Sequence, residues 1–73
     1  MTPLCADLRP REEELLVLLA DGHDLDSASR LMGIAYATAR EYSQAARRRL
    51  GATTTTQAVV IIVRLRDREP VGA

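Results

Sequence analysis

Arginine and glutamine side chains recur near the middle of the chain at a spacing that aligns them along one side of a helix. Arg40, Gln44 and Arg48 are four residues apart, and residues four apart are neighbours on a helix surface. The planar guanidinium can form two hydrogen bonds to a guanine edge or a phosphate, and the glutamine amide can form two with adenine. Arg47 and Arg49 extend the basic end. The segment therefore has the chemistry of a helix that contacts duplex DNA.

Two predicted helices joined by a short turn position these side chains. The first covers residues 25–32, and the second covers residues 36–50 and stops at Gly51. Between them Gly33 supplies the turn, and Ile34 is expected to point into the core. Two helices with a short glycine-containing turn, the second one basic, form the outline of a helix-turn-helix, whose second helix lies in the DNA major groove.

Start and stop signals indicate a first helix from Pro10 to about Asp21. Proline is favoured at the first helical position, and the acidic residues after it suit the positive end of the helix dipole. Leucines then form a wide apolar face, and Gly22 ends the helix. Asp24 is a suitable N-cap for the next helix.

The apolar run at residues 59–63 is β-branched, and its periodicity alone would allow a buried strand. No other segment is typical of a strand, and a lone strand would leave its backbone groups unpaired. Thr54 and Gln57 also form a capping box, which favours a helix start. A fourth helix is therefore predicted over residues 55–66, followed by a frayed tail.

The third predicted helix has an inner stripe of mostly small residues and an outer polar stripe. The inner stripe is Ala39, Ser43, Ala46 and Leu50. Small residues let the helix approach its neighbours closely, so larger side chains must fill the space from the other side. These are expected to be Leu16, Leu19, Met32 and Tyr42. The outer stripe is Ala37, Arg40, Glu41, Gln44, Arg47 and Arg48.

The chain of 73 residues is expected to form one small domain at residues 8–66, with tails at residues 1–7 and 67–73. A core of this size is marginal and is often supplemented by a partner.

The single Cys5 cannot pair within the chain, and the lone His23 supplies no ligand cluster, so neither a disulfide nor a metal site is expected.

No membrane span or signal peptide is indicated, because the longest apolar run is far short of roughly 20 residues. A reducing cytoplasm is the expected compartment.

The net charge is zero, but residues 1–26 hold seven acids against two arginines, and residues 27–73 hold eight arginines against three acids. Such a dipolar chain can present a basic face to phosphates, although these charges can also simply solvate helix surfaces.

Several segments together resemble the LuxR-type (GerE-like) helix-turn-helix domain, without gaps from Leu8 to about Arg66. They are Leu8-Arg-Pro-Arg-Glu, Leu15-Leu16, Leu18-Leu19-Ala20, Gly22, Leu31-Met-Gly-Ile34, Thr38, Leu50-Gly51 and Thr56-Gln57-Ala58-Val59. The resemblance implies an all-α, four-helix domain that binds DNA with its third helix, dimerises through its fourth and regulates bacterial transcription. The third helix also resembles the last helix of region 4 of sigma factors.

By position, the resemblance implies base-reading roles for Arg40, Glu41 and Gln44 and a phosphate contact for Thr38. Arg47, Arg48 and Arg49 correspond to the basic end of the reading helix; of these, Arg47 and Arg48 are predicted to contact phosphates. Arg49 points elsewhere and is expected to interact with the carbonyls at the helix C-terminus.

The chain departs from the family pattern at Ala28, Ala35, Ala39, Glu41, Tyr42, Ser43 and Ala46.

Glu41 places a carboxylate among the reading residues. It could accept a hydrogen bond from a cytosine amino group. The preferred interpretation is that Arg40 or Arg48 neutralises it, because an unpaired carboxylate that faces DNA is repelled by phosphates.

The fourth predicted helix is apolar nearly all round, which indicates a partner surface. Four residues can face the core: Ala58, Ile61, Ile62 and Leu65. Val59, Val60 and Val63 are then left outside, where exposed valines on so small a protein favour an interface. A two-fold homodimer with helix 4 against helix 4 would present two recognition helices about 34 Å apart.

These features predict a sequence-specific, dimeric transcriptional regulator, either stand-alone or excised from a longer protein, associated with the nucleoid and needing no cofactor. The alternative is an interaction module on the same fold, which would bind a regulator, a sigma factor or an RNA polymerase subunit. A purely architectural DNA binder is a third possibility. The sequence contains no catalytic constellation, so an enzyme is not expected.

Overall fold

The computed structural model of the protein describes residues 8–68, which fold into four α-helices and contain no strand. The helices are α1 (Pro10–Ala20), α2 (Leu25–Met32), α3 (Tyr36–Arg49) and α4 (Thr55–Arg68). The all-α, four-helix prediction is confirmed, and the strand alternative for the β-branched run is excluded. The fourth helix continues two residues beyond its predicted end, so Asp67 is helical and not part of a frayed tail. The predictions for Cys5 and for the tails at residues 1–7 and 69–73 lie outside the described residues.

Local hydrogen bonds explain where the helices begin. The Asp24 carboxylate accepts from the Ser27 N–H at 2.7 Å, so the predicted cap of α2 is confirmed. At α4, the Thr54 hydroxyl accepts from the Gln57 N–H at 3.1 Å, but the Gln57 side-chain oxygen bonds the Thr53 N–H at 2.7 Å. Half of the predicted capping box therefore forms as expected, and the other half reaches one residue further back.

The core consists of two adjoining clusters that share α1 and α3. One packs Leu16 and Ala46 against Ile62 of α4, and the other packs Leu15 and Ala39 against α2. The predicted inner stripe of α3 is confirmed, with Ala39, Ser43 and Ala46 buried and Leu50 half-buried. The larger side chains predicted to fill the space around it all belong to these clusters: Leu16, Leu19, Met32 and Tyr42.

A three-residue turn joins α2 to α3. Gly33 adopts the left-handed conformation (φ +69°), which favours glycine because it has no Cβ. Ile34 is half-buried against the α2 cluster, as predicted. Arg11 of α1 donates to the Met32 carbonyl at 2.8 Å, which fixes the end of α2 to the first helix. This helix–turn–helix unit holds α3 with one side on the core and the other towards solvent.

The apolar surface of α4 is divided between the core and solvent. Ala58 and Ile62 are buried, with Ile61 and Leu65 half-buried against them. Val59 also packs partly against the core, so it is not left wholly outside as predicted. Val60 and Val63 are 42% and 37% exposed. Within residues 8–68, no helix is long and apolar enough to span a bilayer.

Candidate nucleic-acid interface

The outward surface of α3 carries the residues predicted to read bases. Arg40, Glu41, Gln44 and Arg48 are all exposed, whereas Ala39, Ser43 and Ala46 are buried on the other side of the helix. We call the exposed set, together with Ala37 and Ala45, the outer face of α3. It is one continuous surface, because residues three and four apart are neighbours on a helix.

Three side chains on this face are available to a ligand. Within residues 8–68, Arg40, Gln44 and Arg48 make no side-chain hydrogen bond or ion pair with another part of the protein. A free guanidinium presents five donors in a planar fork, and a free amide presents both donors and an acceptor. The outer face therefore offers bidentate groups without first breaking internal contacts.

The distribution of ion pairs strengthens the contrast between this face and the rest of the surface. Elsewhere, arginines meet nearby carboxylates in exposed pairs: Arg11 with Glu14, Arg30 with Asp26 and Arg66 with Asp21. Acidic residues of α1 and α2 and of the turn between them thus neutralise arginines away from the outer face of α3. A net charge of zero is therefore compatible with a locally basic outer face.

Glu41 differs from the expectation that an arginine neutralises it. It is exposed, and it lies within 4 Å of no arginine, lysine or histidine nitrogen in the described part of the chain. The predicted pairing with Arg40 or Arg48 is therefore wrong. The side chains one turn away on the same ridge belong to Ala37 and Ala45, which are too short to reach a carboxylate.

The two other arginines at the end of α3 have intramolecular roles. Arg47 is half-buried and donates from Nη1 to the Ala52 carbonyl at 3.2 Å, beyond the helix end. Arg49 does not serve the helix carbonyls as predicted, because its Nε lies 3.0 Å from Oε1 of Glu12. That same oxygen accepts from the Arg9 N–H at 3.3 Å. Arg49 therefore anchors α3 to the start of α1.

Glu12 is a buried carboxylate, whereas the sequence predicts only an acidic residue in the first turn at this position. Its side chain is 4% exposed, against 38% for Arg49. The signal that could have identified it is its position three residues after the N-cap, where a glutamate side chain can reach back to the cap N–H.

Thr38 is half-buried in the first turn of α3. The first backbone bond into the helix runs from the Ala39 N–H to the Ala35 carbonyl, and Ala35 provides no side-chain cap. The amide groups that precede Ala39 are therefore not used by the helix, and they point in the direction that suits an anion.

Other kinds of site receive no support from the described residues. Residues 8–68 contain no group of three or more histidine, cysteine or acidic side chains that could hold a metal ion. His23 is exposed in the turn before α2. Comparison of the chain with protein-family models, with curated proteins and with solved structures found no match.

Proposed function

We propose that this protein is a dimeric, sequence-specific DNA-binding regulator of transcription, similar to the LuxR-type domain it resembles. The observation that carries the proposal is the outer face of α3, where Arg40, Gln44 and Arg48 are exposed and unpaired within the described chain. This face belongs to the second helix of a helix–turn–helix unit, and such a helix docks in the major groove.

The exposed groups suggest distinct roles in the groove. Arg40 bonds guanine O6 and N7, and Gln44 one turn later bonds an adenine edge or a phosphate. Arg48 contacts a phosphate, and Thr38 does so together with the amides of the first turn. Arg47 keeps its hydrogen bond to the Ala52 carbonyl and offers its remaining N–H groups to the phosphates of the DNA.

The dimer is proposed to form through α4. Val60 and Val63 are large apolar side chains that remain exposed on one helix, and a patch of this kind favours association. An isologous α4–α4 contact would repeat the outer face of α3 about one DNA turn away, which suits a pseudo-palindromic site.

The test is selection of binding sites from random duplex DNA with the wild-type protein and with Arg40→Ala. The wild type is expected to enrich a pseudo-palindromic sequence, and Arg40→Ala is expected to lose discrimination at one base pair per half-site, by about 1–3 kcal/mol. Arg9→Ala is the matched control, because Arg9 is exposed before α1 and its replacement removes the same charge away from α3 and from the proposed α4 interface. Equal affinity for every duplex would indicate an architectural binder, and no binding at low salt would refute the proposal.

A second candidate function is an interaction module that binds a regulator, a sigma factor or an RNA polymerase subunit. The unpaired Glu41 on the outer face favours it, because a carboxylate disfavours nearby phosphates. A tight heteromeric complex with one of these proteins that is unaffected by replacing both Arg40 and Gln44 would support this alternative. Loss of function on replacing them would support DNA reading.

A further inference from the structure

Glu41 occupies the centre of the outer face of α3. It is two residues from buried Ala39 and two from buried Ser43, and two residues correspond to about 200° of rotation around a helix. Its side chain therefore points almost directly away from the core. If α3 lies in the major groove, Glu41 is the side chain that faces the base edges.

The neighbours of Glu41 leave its carboxylate free and prominent. Ala37 and Ala45 lie one turn away on either side along the same ridge, so only methyl groups adjoin it there. In residues 8–68 no cationic group lies within 4 Å of it. Short residues on this ridge also let the helix backbone approach the floor of the groove, where a glutamate side chain reaches base atoms.

The ligand follows from the hydrogen-bonding chemistry of a carboxylate. An ionised glutamate only accepts hydrogen bonds. Of the groups on the major-groove edges, guanine offers acceptors, thymine an acceptor and a methyl group, and adenine both a donor and an acceptor. Cytosine is the base whose own major-groove edge offers a donor and no acceptor, so it suits a carboxylate best.

We propose that Glu41 selects cytosine in each half-site and does so largely by excluding other sequences. This inference rests on the proposed function and assigns one base of its target. On a duplex without the matching amino group, the carboxylate loses its hydration, gains no donor and faces phosphates on both walls of the groove. Glu41 therefore lowers the affinity for wrong sequences more than it raises the affinity for the right one, which is a recognised route to specificity.

The variant that tests this is Glu41→Ala, with Glu14→Ala as the matched control. Glu14 is exposed on α1, so its replacement removes the same charge away from α3 and from the proposed α4 interface. Because the Glu41 side chain is solvent-exposed, the fold should be retained, and far-UV circular dichroism checks this. Glu41→Ala is expected to bind non-specific duplex DNA more tightly than the wild type. It should also lose the cytosine preference at one position of each half-site, by about 5- to 140-fold.

A chemical change in the DNA provides an independent arm. N4-methylcytosine keeps its base-pairing hydrogen but replaces the groove-facing one with a methyl group. Placed at the selected cytosine, it should weaken wild-type binding by a factor similar to that of a wrong base, and it should not weaken Glu41→Ala by the same factor.

The failures of the two proposals can be told apart. If Glu41→Ala raises the affinity for all duplexes equally and keeps every base preference of the wild type, the carboxylate only repels DNA. Cytosine reading is then overturned, while sequence-specific binding stands. Insensitivity of the wild type to N4-methylcytosine has the same meaning. If neither protein binds duplex DNA at low salt, both the inference and the proposed function fail.

Discussion

Replacing Arg49 by alanine should destabilise the fold far more than replacing Arg40, although both are arginines on the same helix. Arg49 holds the buried carboxylate of Glu12 at 3.0 Å, and it thereby joins α3 to the start of α1. Arg40 makes no side-chain contact of this kind within the described residues. Arg49→Ala therefore leaves a carboxylate that is 4% exposed without its cation.

The size of the effect follows from the burial of the two partners. Removing one partner of a fully buried ion pair costs about 3–5 kcal/mol. Arg49 is 38% exposed, and the Arg9 N–H at 3.3 Å remains as a second donor to Glu12, so we expect a smaller loss of about 2 kcal/mol. A domain of this size has a total stability of about 3–9 kcal/mol, and the melting temperature should fall by about 10 °C.

Urea unfolding followed by circular dichroism at 222 nm measures this difference. The double variant Glu12→Gln/Arg49→Ala should be more stable than Arg49→Ala alone, because it has no buried unpaired charge. Arg40→Ala, a neutralisation at an exposed site of the same helix, should change stability by less than about 0.5 kcal/mol. Equal unfolding midpoints for Arg49→Ala and Arg40→Ala would refute the reasoning.

Three further outcomes are expected. The hydrogen bond from the Ser27 N–H lowers the pKa of the Asp24 carboxyl below its ordinary 3.8. The stability that this bond contributes is therefore fully present well above pH 3.8 and is lost as the pH falls through the lower folded-state pKa. Asp24→Ala should lose this part of the acid unfolding transition, and an unchanged acid transition would contradict it. Gly33→Ala should cost about 1 kcal/mol in urea unfolding, because φ is +69° there; a neutral substitution would show that the turn can relax. Replacing Val60 and Val63 by aspartate should give a monomer in analytical ultracentrifugation with helicity retained, and an unchanged sedimentation coefficient would exclude this patch as the dimer interface.

The helix boundaries could be predicted because their signals are local. Pro10 at a first helical position, Asp24 as a cap and Gly33 after α2 each act on backbone groups within a few residues, and the structure uses them as expected. The inner stripe of α3 could also be predicted from the sequence, because its small residues recur at helical spacing.

The side-chain partners on α3 could not be predicted, because they depend on contacts distant in sequence. The partner of Arg49 is Glu12, which precedes it by 37 residues in the sequence. Helical spacing alone predicts only that Arg49 lies near the end of its own helix. The pairing predicted for Glu41 failed for a related reason. Spacing shows which side chains are near each other, but not whether solvation and rotamer freedom outweigh an exposed ion pair of small net value.

The most direct test of the central claim is the salt dependence of duplex binding by the wild-type protein. A dimer brings two copies of Arg48, and each phosphate contact contributes about 0.9 to the slope of log K against log salt concentration. We therefore expect a slope of about −2 or steeper, which becomes shallower by about 1.8 in Arg48→Ala. A flat salt dependence, or a slope that Arg48→Ala leaves unchanged, would contradict a duplex-binding role for the outer face of α3.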